Sequence, residues 1–248
     1  IYSGVPIDSA AGSSANIASL SEVIKVSPGD ANAYNTRGVA YGKAGKLDLA
    51  MQDFNTALKI DPNSYQAYAN RALVERRRGN MANAVADYDR ALRIKPDYDA
   101  ALVGRGNTYR LAGRYPEALR DFDAVIRRNS NDARAFHNRG LIYQAQGQHN
   151  FAIEDFSTAI VLNPKASEPY IARGISYLKI NDPQAALADL SEAVNFDKNS
   201  SIAWANRGVA LEMTGQKSDA VRNYNRALGL DASNQLARDG LARVNRGS

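Results

Sequence analysis

Large, small and polar positions return along the chain with a period of 34 residues, and six such units fill 31–64, 65–98, 99–132, 133–166, 167–200 and 201–234. The eighth position of each is small (Gly38, Ala72, Gly106, Gly140, Gly174, Gly208), and the twentieth is always alanine (Ala50, Ala84, Ala118, Ala152, Ala186, Ala220). Bulky residues dominate position four (Tyr34, Tyr68, Leu102, Phe136, Tyr170, Trp204) and position twenty-four (Phe54, Tyr88, Phe122, Phe156, Leu190, Tyr224). Position eleven is Tyr41, Tyr109, Tyr143 and Tyr177, with Glu75 and Leu211 as departures. Three- and four-residue spacing puts positions four, eight and eleven on one face of a first helix, and twenty, twenty-four and twenty-seven on one face of a second. Each unit is therefore predicted to be a helical hairpin, its small residues admitting close approach and its large ones filling the gaps.

Between the two helices position fifteen is Gly45, Gly79, Gly113, Gly147 or Gly215, with Asn181 in the fifth unit. These residue types tolerate the left-handed backbone that ends a helix. Pro62, Pro96 and Pro164, with Pro28 upstream in the same phase, punctuate the unit boundaries.

The combination closely resembles the tetratricopeptide repeat family over residues 31–234. The resemblance implies an all-α, right-handed superhelical solenoid with terminal capping helices. Residues 235–248, with Leu236, Leu241 and Val244, are expected to form a C-terminal cap and tail. Ile17, Leu20, Val23 and Ile24 predict a lone packing helix within 14–30, behind a flexible Gly/Ser/Ala-rich lead at 1–13.

Composition narrows the chemistry. The chain has 248 residues, no cysteine and two histidines, so disulfides, thiol nucleophiles and Cys/His zinc sites are excluded. No apolar run reaches the length needed to span a bilayer. His137 and His149 fall on different helices without carboxylates arranged around them, so no catalytic residue, metal or cofactor is expected. Gly104 and Gly106 imitate the start of a dinucleotide loop, but they lie inside a helix with Tyr109 where a third glycine belongs.

Position seven is arginine in every unit (Arg37, Arg71, Arg105, Arg139, Arg173, Arg207). Position twenty-three is Asp53, Asp87, Asp121, Asp155 and Asp189, then Asn223. Two matched columns of opposite charge predict pairs between helices, for which the planar guanidinium fork is suited. A basic ladder open to phosphates or acidic peptides is the alternative reading.

The resemblance implies that the binding surface is the concave side, made by first-helix positions two, five, six, nine, twelve and thirteen. Asn35, Asn70, Asn107, Asn138 and Asn206 fall there, able to hold the backbone of an extended peptide, with solvated helix surface as the alternative. His137 shares that face. The family's clamp for a terminal carboxylate is matched only by Asn107 and Asn138, since Val103, Glu168 and Ala172 stand where its basic members would be.

Net charge is +5, and residues 31–132 carry 17 basic and 12 acidic side chains against 10 of each in 133–234. Lys43, Arg76, Arg77 and Arg110 lie at concave positions, so an acidic stretch of a partner protein is expected to dock on the first half. Nucleic acid is not favoured, because the surplus is small and no stacking aromatics accompany the arginines. The expected function is a non-enzymatic adaptor binding an extended peptide or a helix, with self-association into a homodimer left open and the targeting module of a larger enzyme as an alternative. The repeats, including Asn-Arg-Gly at 138–140 and 206–208, look similar to bacterial envelope lipoproteins that act as adaptors. That likeness, with the lack of an initiator methionine, suggests a periplasmic or lipid-anchored location, a cytoplasmic scaffold being the alternative.

Overall fold

The computed structural model of the chain describes residues 12–129 and 131–246, and within these it forms fourteen α-helices and no strand. The expected lead at 1–13 lies, for residues 1–11, outside the described residues. The chain divides into two compact units, residues 1–128 and 129–248. The first holds α1 (Ser14–Val26), α2 (Ala31–Lys43), α3 (Leu47–Ile60), α4 (Tyr65–Arg77), α5 (Met81–Ile94), α6 (Asp99–Leu111) and α7 (Tyr115–Arg128). The second holds α8 (Ala133–Ala145), α9 (His149–Leu162), α10 (Ser167–Lys179), α11 (Pro183–Phe196), α12 (Ser201–Met213), α13 (Lys217–Leu230) and α14 (Gln235–Arg246).

Each hairpin closes through the same short turn. Gly45, Gly79, Gly113, Gly147 and Gly215 have φ between +73° and +84°, and Asn181 adopts +61°. The residue after each donates its N–H to a carbonyl five residues back, as Lys46 does to Tyr41 (2.9 Å) and Asp182 to Tyr177 (2.9 Å), which satisfies an otherwise orphaned helix-end acceptor.

Packing follows the small and large columns. The six alanines at position twenty are fully buried. The rings of Phe54, Phe122, Phe156 and Tyr224 press on the backbone of Gly38, Gly106, Gly140 and Gly208, where an added Cβ would come within 2.8 Å of a ring atom. Dispersion and hydrophobic burial at this close approach hold each hairpin, and neighbouring hairpins within a unit stack through the same faces.

The terminal helices cover the end repeats with one residue of difference from the expected stripe. In α1, Ile17 and Ile24 are buried while Val23 is half exposed. In α14, Ala237, Gly240 and Val244 turn inward and Leu241 packs beside them, which rotates Leu236 outward. A spacing of three and four from Ala237 excludes position 236 from the inward face.

Side chains cap several first helices, and Asp132 at the start of α8 is the most strongly tied. Its carboxylate accepts from the backbone N–H groups of Arg134 and Ala135 and from the Arg134 guanidinium at 2.7 and 3.0 Å. Burial pushes its carboxyl up, but the Arg134 charge and these hydrogen bonds together hold it below the ordinary aspartate value. A carboxyl depressed by folding stabilises above its unfolded pKa of about 4, and that contribution is lost as pH falls through the folded value. Asp132→Ala is expected to cost about 1 kcal/mol at pH 7 by urea titration. The gap from the parent should narrow as pH falls through the folded value; a gap unchanged into strong acid would remove the carboxylate from the explanation.

Candidate functional site

The arginine column is anchored rather than free. Arg37, Arg71, Arg105, Arg139 and Arg173 each donate Nε and Nη2 to the two oxygens of Asp53, Asp87, Asp121, Asp155 and Asp189, at 2.7–2.9 Å. These bidentate bonds hold the Arg37, Arg71, Arg105 and Arg173 guanidinium groups above the ordinary arginine value against the opposing pull of burial. The remaining guanidinium nitrogen reaches the preceding second helix, from Arg37 to Ser21, Arg71 to Asn55, Arg105 to Asp89 and Arg173 to Ser157, at 2.6–3.1 Å. Where the carboxylate is replaced, Arg207 makes a single bond to the Asn223 carbonyl at 3.0 Å, and burial lowers its pKa. One side chain thus ties three helices together, and the column offers no free ladder to phosphates.

Several cations on the first-helix face selected from the sequence lack an acidic partner. Among the described residues, Lys43, Arg76, Arg77 and Arg110 have no carboxylate at ion-pair distance. Arg77 donates to the Gly42 carbonyl at 3.0 Å, and Arg110 to the Asn107 side-chain oxygen at 2.8 and 3.2 Å. Burial lowers the Arg110 pKa, and the like charge of Arg76 lowers it further. Two guanidinium groups that feel each other's charge, one desolvated and neither facing a carboxylate at ion-pair distance, create a local positive potential suited to an anionic group. Asn70 donates to Asn35 at 3.0 Å in the adjacent hairpin. The first unit therefore brings two of the sequence-selected asparagines into one pair and joins Asn107 to the arginine cluster.

The second unit treats its selected residues differently. Asn138 and Asn206 are 3% and 8% exposed, and each donates its amide to the carbonyl four residues earlier, Arg134 and Ile202 respectively. His137 is buried in α8 with its ring centroid 5.6 Å from that of Phe156. First-helix positions around them are apolar, with Leu141, Ile171, Ile175, Leu178 and Val209 half buried, and Ile202 and Met213 exposed. Sequence reading weighed only polar groups on this face; the hydrophobic residues at positions five, nine and twelve were the signal it passed over.

A second feature lies off that surface. Met51, Asn55, Arg71, Glu75, Asn83, Ala86 and Asp87 line an open cleft of about 290 Å³ on the α3–α4–α5 side of the first unit. Its signal in the sequence is Glu75, at the position where four other units carry tyrosine. No group of three or more His, Cys, Asp or Glu side chains fit to hold a metal occurs among the described residues, and no helix there is long and apolar enough to cross a membrane.

Stacked hairpins with an interlocking Arg–Asp column define a helical-repeat solenoid. Family models described as tetratricopeptide repeat match residues 31–64, 65–98, 133–166 and 171–237, and one described as TPR repeat matches 106–147. The chain belongs to the tetratricopeptide repeat family. Solved structures share its fold at low identity. The Cut9–Hcn1 hetero-tetramer of the APC/C aligns with a TM-score of 0.85 and 17% identity, over 94% of this chain and 46% of that one. The chain thus spans less than half the length of the protein chain it matches there. PilF of Pseudomonas aeruginosa aligns with a TM-score of 0.78 and 19% identity, over 86% of this chain and 97% of its own. YrrB, described as a TPR protein with an unusual peptide-binding site, aligns with a TM-score of 0.59 and 22% identity, over 76% and 97%. No curated protein matches the chain significantly.

Proposed function

We propose that the protein is a non-enzymatic adaptor whose first unit binds an extended acidic segment of a partner protein across α2, α4 and α6. The observation that carries this reading is Arg76 and Arg110, two electrostatically coupled guanidinium groups without a carboxylate at ion-pair distance, while Arg37, Arg71 and Arg105 of the same unit are each paired with an aspartate. Lys43 and Arg77 extend the positive surface, and the Asn35–Asn70 pair supplies a donor and acceptor for peptide backbone. Peptide binding by YrrB is a precedent within the same fold. The finer reading, an adaptor in a bacterial cell envelope, rests on the style of the repeats and the Gly/Ser/Ala-rich residues 1–13.

A random peptide library displayed on phage tests the reading. Selection on the parent protein should enrich sequences with two or more Asp or Glu residues. The Arg76→Glu/Arg110→Glu variant, helical by circular dichroism, should lose that enrichment. Equal enrichment by both proteins, or selection of sequences without acidic residues, would overturn it.

A further inference from the structure

The cleft around Glu75 lies where the second 34-residue repeat, 65–98, departs from the pattern of the others. In four units the position-seven arginine lies 5.6–5.9 Å from the ring of the position-eleven tyrosine, as Arg37 does from Tyr41 and Arg173 from Tyr177. In the sixth unit Leu211, 3% exposed, fills the same place. The second repeat has Glu75 there, shorter than tyrosine and acidic, and about 290 Å³ of space opens beside Arg71.

The charge balance of that space is unequal. Arg71 and Asp87 satisfy each other through two bonds of 2.7 Å, and the third Arg71 nitrogen is taken by Asn55 at 2.8 Å. Glu75 is 9% exposed and has one neutral donor, Asn80 Nδ2, on Oε2 at 2.7 Å. Among the described residues no donor reaches Oε1, and no cation lies at ion-pair distance from this carboxylate. Arg71 attracts it only across the cleft. Oε1 is left with acceptor capacity that the protein's own groups do not use. With both Asp87 oxygens held by Arg71, a single carboxylate oxygen faces the space, too few ligands for a hard metal ion but suited to an organic cation.

We propose that this cleft receives the lysine or arginine side chain of a partner protein, the cationic head meeting Glu75 Oε1 and the methylene stem lying along Met51 and Ala86. The Asn55 and Asn83 side chains at the exposed rim give it further polar contacts. The site uses charge opposite to that of the Arg76–Arg110 surface, so it stands independently of the acidic-segment reading.

The test titrates the full chain, labelled with ¹⁵N, with Nα-acetyl-lysine methylamide, using the Nε-acetylated form as the uncharged control. Saturable shifts of the Asn55 and Asn83 side-chain amides are expected with the charged probe and not with the control. Glu75→Gln keeps the shape and should weaken binding about ten-fold or more. Glu75→Tyr restores the residue of the other units, fills the cleft and should abolish the shifts while the protein stays folded. Should that variant fail to fold, the glutamine variant decides alone. Shifts that do not saturate, equal binding of the acetylated control, or undiminished binding by Glu75→Gln would each overturn the proposal.

Discussion

Asp121→Ala is expected to destabilise the protein by about 3 kcal/mol, read as a lowered urea midpoint by circular dichroism. Asp121 is 5% exposed and accepts both the Nε and Nη2 bonds of Arg105, at 2.9 and 2.7 Å. Its removal leaves a partly buried guanidinium held only by Asp89, and so breaks the tie from α6 to α7 while that to α5 remains. The penalty is the loss of two charge-assisted hydrogen bonds around a partly buried guanidinium whose charge Asp89 then balances alone. The sixth unit supplies a natural comparison, since Arg207 lives with Asn223 through one bond of 3.0 Å. Asp121→Asn should therefore lose only part of what alanine loses. The exposed Arg114–Glu117 pair, three residues apart on the surface, should be far less sensitive to Glu117→Ala. A loss below about 1 kcal/mol for Asp121→Ala would show that the column packs without holding the repeats together.

Gly104→Ala is expected to cost about 2 kcal/mol, although alanine is the better helix former by about 1 kcal/mol. A Cβ at Gly104 would lie 2.5 Å from Cζ and Oη of Tyr88, which is 2% exposed and has no room to retreat. In the second repeat, 65–98, Ala72 stands where the other five carry glycine, and the Tyr88 ring leans on the next first helix. Burial raises the Tyr88 phenol to about 12, so the ring is held as a neutral phenol in this packing. Tyr224 meets Gly240 in the same relation, a Cβ there falling 2.3 Å from the ring. Phe54, Phe156 and Leu190 instead precede Asn70, Ala172 and Asn206 at the equivalent place. Tyr88→Leu should relieve the clash, so the double variant is expected to be more stable than the summed single losses by about 1 kcal/mol or more. If Gly104→Ala stabilised the protein instead, as an uncrowded helical glycine would, the close approach would be disproved.

The hairpins and the Arg–Asp pairs were legible in the sequence because both depend on residue types repeated at fixed spacing. Asn181 could be read as a turn residue because it stands where five glycines do. The third bond of each arginine was not legible: its partner column varies between Ser21, Asn55, Asp89 and Ser157, which share only an oxygen of suitable reach. The asparagines show a different limit. Periodicity put Asn70 and Asn138 on one helix face, but whether the amide turns to a neighbour, as Asn70 does, or back to its own helix, as Asn138 does, depends on rotamer and cover. The Arg76–Arg110 cluster was visible as charge, and its lack of counterions only as geometry. Glu75 was visible as an irregularity whose consequence, a cleft, requires the surrounding volume.

The central claim is that the first unit recognises acidic segments through Arg76 and Arg110. Fluorescence anisotropy with a labelled, extended eight-residue peptide of alternating Glu and Gly tests it most directly, at about 50 and 200 mM salt. The account predicts measurable binding that weakens with salt. It also predicts at least about ten-fold weaker binding, with a flatter salt response, for Arg76→Glu/Arg110→Glu. Equal affinity for the parent and the double variant, or no dependence on salt, would contradict it.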